Sequence, residues 1–192
     1  MTRHISSPPS RRRAAGGRVR GAGAVAAVFV LALSACSQDG RNYAVPGDLC
    51  GVAVDSDLLS PLLPDGEKLT QRSYDAGATS PRCRVSVDDR LVLYVSNDLV
   101  PPDTDPLKTQ DRGLQRLGHP APADVGAAAR VADRGALAVA DCATEDGRKR
   151  VATLVQLERE FPEDTAQRRK DLTRLLRGYL PKAMGALGCK PV

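Results

Sequence analysis

Four acidic pairs are the side chains of this chain best suited to acid–base or cation chemistry: Asp55 with Asp57, Asp88 with Asp89, Asp103 with Asp105, and Glu163 with Asp164. Two carboxylates act as acid and base only across a cleft built from separate segments. Each pair also reads as a helix cap, a turn or a solvated loop. Asp103-Thr104-Asp105 opens like a calcium loop, but Pro106 and Lys108 follow, and Leu114 stands where the Glu ligand belongs. His119, in Gly118-His119-Pro120, is the only histidine beyond His4 and reads as an exposed loop residue. Gly-x-Ser-x-Gly, Ser-x-x-Lys, His-Glu-x-x-His and a Gly-rich phosphate loop are absent. The sequence therefore assigns no catalytic residue, no metal ligand and no cofactor.

The remaining reactive groups are five thiols, and Cys36 differs from the rest in its setting. Arg3, Arg11, Arg12, Arg13, Arg18 and Arg20 precede an apolar run from Gly21 to Ala35, with no acidic residue among them. A basic front, a short apolar middle and small residues before a cut site are the parts of a secretory signal. The run falls short of the roughly 20 apolar residues that a membrane span needs. Its end, Leu33-Ser34-Ala35-Cys36, resembles the lipobox of bacterial lipoprotein precursors. That resemblance implies that the Cys36 thiol takes a diacylglyceryl group and that cleavage makes Cys36 the new N-terminus. Two acyl chains hold a membrane stably, at about 0.8 kcal/mol per buried methylene. An ordinary cleaved signal is the rival reading. Arg11-Arg12-Arg13 after Ser10 is also similar to a twin-arginine signal, although Ala14 and Ala15 stand where larger apolar residues are preferred.

Five thiols leave one unpaired in an oxidising compartment, whereas lipidating Cys36 leaves the even set Cys50, Cys83, Cys142 and Cys189. Outside the cell these four are better explained by disulfides than by zinc.

Cleavage also changes the charge balance. Six of the 28 basic residues lie in the signal, so against 23 acidic residues the net charge moves from +5 to about −1. The nucleic-acid reading that a basic chain invites is thereby excluded. Aromatics are scarce, with no Trp, which argues against a sugar-stacking site, although Tyr43, Tyr74, Tyr94 and Tyr179 could still form one. The runs Arg148-Lys149-Arg150 and Arg168-Arg169-Lys170 read as solvated turn and helix faces, with contact to anionic lipid or wall polymer as the functional alternative.

The elements that must position these groups follow from periodicity. Residues 36–48 read as a flexible tether, and 49–192 as one secreted domain with halves at 49–99 and 125–192. Val54, Leu58, Leu59, Leu62 and Leu63 predict a short helix, its last turn strained by Pro61. Strands are expected at 67–75, 82–88 and 91–96, with Asp88-Asp89 as a hairpin turn. Val100 to Asp124, rich in proline, reads as a long connection and a lobe boundary. Further strands follow at 128–132, 136–143 and 150–158. A long helix opens at Pro162-Glu163-Asp164, carries a stripe through Leu172, Leu175, Leu176, Tyr179, Leu180, Met184 and Leu187, and is expected to kink at Pro181.

Together these give an α+β fold with antiparallel sheet portions, a short N-terminal helix and a long kinked C-terminal helix, in two related halves stapled by disulfides. Four cysteines allow three connectivities. Keeping each bridge within a half pairs Cys50 with Cys83 and Cys142 with Cys189.

The lipobox, the Leu49-Cys50-Gly51 start, the Cys83-Arg84-Val85 strand and the closing Leu187-Gly188-Cys189 resemble a set of uncharacterised actinobacterial, Streptomyces-like lipoproteins. The resemblance brings structural motifs and no catalytic residues. The expectation is a lipid-anchored protein on the outer face of the cytoplasmic membrane, working as a binding module toward an envelope protein or cell-wall polymer. An extracellular hydrolase with a carboxylate site is the alternative, and a structural accessory of an envelope complex a third.

Overall fold

A computed structural model describes residues 40–77 and 79–192. The signal at 1–35, Cys36 and the beginning of the expected tether lie outside the described residues. A two-stranded ribbon, β1 (Asp48–Leu49) and β2 (Val52–Ala53), leads into α1 (Ser56–Leu59) and a 3-10 turn at Ser60–Leu62. Three strands follow: β3 (Leu69–Asp75), β4 (Pro81–Val87) and β5 (Arg90–Val100). Two short helices, α2 (Pro106–Thr109) and α3 (Asp111–Arg116), precede β6 (Ala121–Ala123), β7 (Ala128–Ala132), β8 (Gly135–Thr144) and β9 (Gly147–Leu157). The long helix α4 (Thr165–Ala186) and the terminal strand β10 (Lys190–Pro191) complete the order. The fold is α+β, with an antiparallel sheet, a short first helix, a long C-terminal helix and two disulfide bonds.

All the strands from β3 onward lie in one eight-stranded sheet of order β3-β4-β5-β9-β8-β7-β6, with β10 added to β8 beyond the end of β7. Its β4–β5 hairpin turns at Asp88 and Asp89, whose φ values of 49° and 61° match the left-handed pair that a tight two-residue turn requires. The Asp88 carboxylate accepts from the backbone N–H of Glu67 and Lys68, which fixes the start of β3.

One face of the sheet is the core. Cys83, Val85 and Val87 of β4, Leu93 and Val95 of β5, Val151 and Val155 of β9, and Ala136 and Ala138 of β8 are all buried there. The α4 stripe of Leu172, Leu175, Leu176, Tyr179, Leu180 and Met184 belongs to the same cluster. Alanines on β8 lower the sheet surface so that a bulky helix can approach, and α4 packs on β8, β9 and β7. Gly178 admits α1 against α4, since a Cβ there would stand 2.5 Å from Leu58 Cδ1. Within the core one polar chain is satisfied internally: Thr153 donates to Asn97, and Asn97 donates to the Tyr179 hydroxyl. Burial pushes the Tyr179 phenol above its ordinary range.

The structure departs from the sequence expectations in four places and carries the expected long helix past Pro181. The expected tether 36–48 is attached from Arg41 onward: Arg41 donates to Ser60 Oγ and to the carbonyls of Ser60 and Leu63, the Asn42 N–H bonds Gly66 O, and the Tyr43 hydroxyl donates to Pro64 O. The first helix stops after one turn, and Pro61 starts the 3-10 turn, where its missing N–H is not needed. The Val100–Asp124 connection holds α2, α3 and β6, because Asp105 caps Leu107 and Lys108 and Pro106 takes the first helical position. That connection is not a lobe boundary: β5 and β9 pair across eight residues, and the described residues form one compact unit. Finally, α4 runs uninterrupted through Pro181. Arg177, whose carbonyl loses its donor to that proline, is solvent-exposed.

Candidate functional site

The second face of the sheet is covered over only one half. There Leu114 and Leu117 of the α3 segment pack on Ala132, Leu137 and Ala152, with Leu107 and Leu154 at the margin. Gly135 makes this close approach feasible, since a Cβ would lie 2.6 Å from Leu117 Cδ1. Over β3 and β4 the corresponding side chains reach solvent: Arg72, Tyr74 and Arg84 are exposed, and Tyr94 and Arg82 are half-buried.

Strand register sets the pattern of this surface. Alternation along β3 sends Thr70, Arg72 and Tyr74 to the same side, and their direct partners on β4 are Ser86, Arg84 and Arg82. On β5 the facing residues are Leu91, Tyr94 and Ser96. Arg82 is neutralised by Asp98 at 2.8 Å. Arg72 and Arg84, directly opposite each other, form no ion pair and no side-chain hydrogen bond among the described residues. The Arg84 guanidinium lies 5.2 Å from the centre of the Tyr74 ring. Partial burial, followed by the hydrogen bond with Tyr74, raises the Tyr94 phenol. A depression of about 400 Å³ opens here, lined by Thr70, Arg72, Arg84, Ser86, Asp89 and Leu91. Two neighbouring hollows, of about 220 and 320 Å³, separate the surface from α2 and α3.

Apart from Asp89 at the rim of this depression, the acidic pairs weighed for chemistry fall elsewhere. Asp55 caps α1, Asp105 caps α2 and Asp164 caps α4, each accepting a backbone N–H of the first turn. Asp88 is occupied in its turn, and Asp57, Asp103 and Glu163 are exposed. The five principal cavities each hold a single carboxylate, so none of them assembles the acid–base pair that a hydrolase needs. Among the described residues no three His, Cys, Asp or Glu side chains converge as a metal site.

The thiols pair within the halves: Cys50 with Cys83 and Cys142 with Cys189, at Cα separations of 5.7 and 5.5 Å. Of the four tyrosines, Tyr74 and Tyr94 share the open face, Tyr43 docks on Pro64 and Tyr179 is buried.

Arg168, read from the sequence as part of a solvated helix face, is structural. Arg168 is 1% exposed and donates to the carbonyls of Asp133, Pro162 and Glu163 and to Thr165 Oγ1. His119 is exposed in its loop, as the sequence reading has it, and its Nδ1 lies 2.7 Å from Asp133. Arg150 is tied to Asp141 and to Thr104 O, which leaves Arg148, Lys149 and Lys170 as the solvated members of the two basic runs.

Sequence reasoning missed Arg72 and Arg84 as a pair. The signal was the alternation of Arg82-Cys83-Arg84-Val85 against Arg72-Ser73-Tyr74, legible only once the hairpin register is known. Comparison with family models, with curated proteins and with solved structures returns no match.

Proposed function

We propose that this chain is a lipid-anchored cell-envelope protein, held through Cys36 at the outer face of the cytoplasmic membrane, that binds another molecule on the bare half of its sheet and does not catalyse a reaction on it. The signal-like front, the Leu-Ser-Ala-Cys end and the odd thiol at Cys36 support the anchor, as does the resemblance to actinobacterial lipoproteins. The observation that carries the binding reading is the uncovered, donor-rich surface of β3–β5. It pairs an unneutralised Arg72 and Arg84 with Tyr74, whereas the rest of the sheet is covered by helices. The hydrolase alternative finds no support, for want of two carboxylates in one cleft.

Two experiments test the reading. Cys36→Ala should abolish membrane retention or block processing, seen by fractionation and by mass spectrometry of the mature N-terminus. An unmodified mature N-terminus at another residue would refute the anchor. For the surface, a photo-crosslinking residue at Tyr74 should capture a partner in intact cells, while the same residue at Lys170 on α4 should not. Equal capture at both positions, or none at either, refutes the surface.

A further inference from the structure

Arg72 and Arg84 are held where like charges cost stability. Directly opposed residues on one sheet face have Cβ atoms about 4.5–5.5 Å apart, and equal charges there repel. No carboxylate among the described residues pairs with them, since Asp98 is engaged by Arg82 and Glu158 accepts from Gln156, and the one attraction on hand is the Tyr74 ring 5.2 Å from the Arg84 guanidinium. Asp89 lies at the rim of the depression, on the hairpin turn, and pairs with neither arginine. Nor is the charge a by-product of a basic chain, because the net charge after signal removal is about −1.

The surroundings are donors. Thr70 and Ser86, themselves cross-strand partners, place two hydroxyls one row along on the same face. Tyr74 stands one row along on the other side of the arginines, and Tyr94 faces Arg84 from β5 in their own row. A guanidinium presents several N–H groups in a planar fork suited to an oxyanion, and a tetrahedral oxyanion has further oxygens, beyond a carboxylate's two, to meet both forks and the neighbouring hydroxyls.

We propose that the Arg72–Arg84 pair is a binding site for a phosphate-class anion, with one guanidinium on each side of a tetrahedral oxyanion and the Thr70 and Ser86 hydroxyls donating to its remaining oxygens. The proposal rests on the reading of β3–β5 as the binding surface and names the chemistry of its occupant. A phosphate of this kind occurs in lipid headgroups and in soluble or polymeric phosphoesters, and the two sources present the same group to the arginines.

The test uses the full chain in non-ionic detergent, titrated calorimetrically with inorganic phosphate and with glycerol phosphate. In parallel it is sedimented with phosphatidylcholine vesicles with and without phosphatidylglycerol. The expected result is saturable binding that weakens with added salt and falls about tenfold or more in Arg72→Gln and in Arg84→Gln. Lys170→Gln should bind as the parent does. Arg72→Gln should melt at or slightly above the parent temperature because it removes a repulsion, and Arg84→Gln close to the parent because the lost Tyr74 contact offsets that gain, so lost binding is not lost folding. Binding that needs phosphatidylglycerol vesicles assigns the lipid source, and binding to the free esters alone assigns the soluble or polymeric one. No binding by any probe, or equal binding by parent and Arg variants, overturns the proposal. If Tyr74 still crosslinks a partner under that outcome, the binding surface stands and only its anionic occupant is wrong.

Discussion

At Asp133 one residue ties three segments together. Its carboxylate meets His119 Nδ1 at 2.7 Å and accepts from Arg169 Nη1 at 2.7 Å, while its carbonyl accepts from the buried Arg168. The hydrogen bond with His119, together with that from Arg169, holds this carboxyl below the usual aspartate range against the opposing effect of burial. A depressed carboxylate contributes stability that is complete above its unfolded pKa of about 3.9 and is lost as pH falls through the lower folded value. Asp133→Asn should therefore cost about 1 kcal/mol at neutral pH, given partial solvent screening, and the gap to the parent should close below about pH 4. Denaturant melts across that range check this, and a gap that does not change with pH would mean the charge is irrelevant. None of this network was legible in the sequence, because the three residues are far apart along the chain and meet only through the β7–β8 turn. The caps were legible: Asp55, Asp105 and Asp164 each act on backbone two or three residues away, and such local chemistry needs no tertiary knowledge.

Among the elements, α4 is the principal prop of the core face. Its 3.6-residue stripe could be read directly, as could the period-2 strand 82–88, which buries one face only, and strand 150–158, whose larger apolar residues alternate although both of its faces are covered. The helices α2 and α3 could not, because four and six residues are too few for a periodic signal and the proline-rich composition around them reads as loop. Leu176 is buried beneath α4, so Leu176→Ala should cost about 2–5 kcal/mol, while exposed Lys170→Ala should stay within about 0.5 kcal/mol. Arg169, which a helical wheel places on the polar side, is no neutral control. Its guanidinium holds Asp133 and the carbonyls of Val131 and His119, so Arg169→Ala should fall between the other two. Thermal melts of the three variants give the order. If Leu176→Ala and Lys170→Ala melt alike, α4 does not carry the core.

Across the whole molecule, two three-stranded meanders meet edge to edge, β3-β4-β5 against β7-β8-β9, along the β5–β9 seam. The expectation of two halves read the strand meanders but not their union. Edge pairing between distant segments leaves no mark on composition, whereas a proline-rich connection looks like a boundary whichever way the strands dock. Neither disulfide crosses the seam: Cys50–Cys83 fastens the first ribbon to β4, and Cys142–Cys189 fastens the end of the chain to β8. Closing loops of 33 and 47 residues contributes about 4 kcal/mol each in the chain-entropy model. The seam depends instead on eight paired positions and on a core cluster that includes Val95, Val155 and Leu172. Replacing either cysteine pair by serine should therefore lower the melting temperature by many degrees while leaving one cooperative transition, with both halves melting together. Hydrogen exchange on β4 and β8 during the melt distinguishes the outcomes. If the strand whose bridge was removed opens well before the other, the halves are independent modules joined by a weak seam. In that case the bare face of β3–β5 could rearrange on binding without disturbing α4.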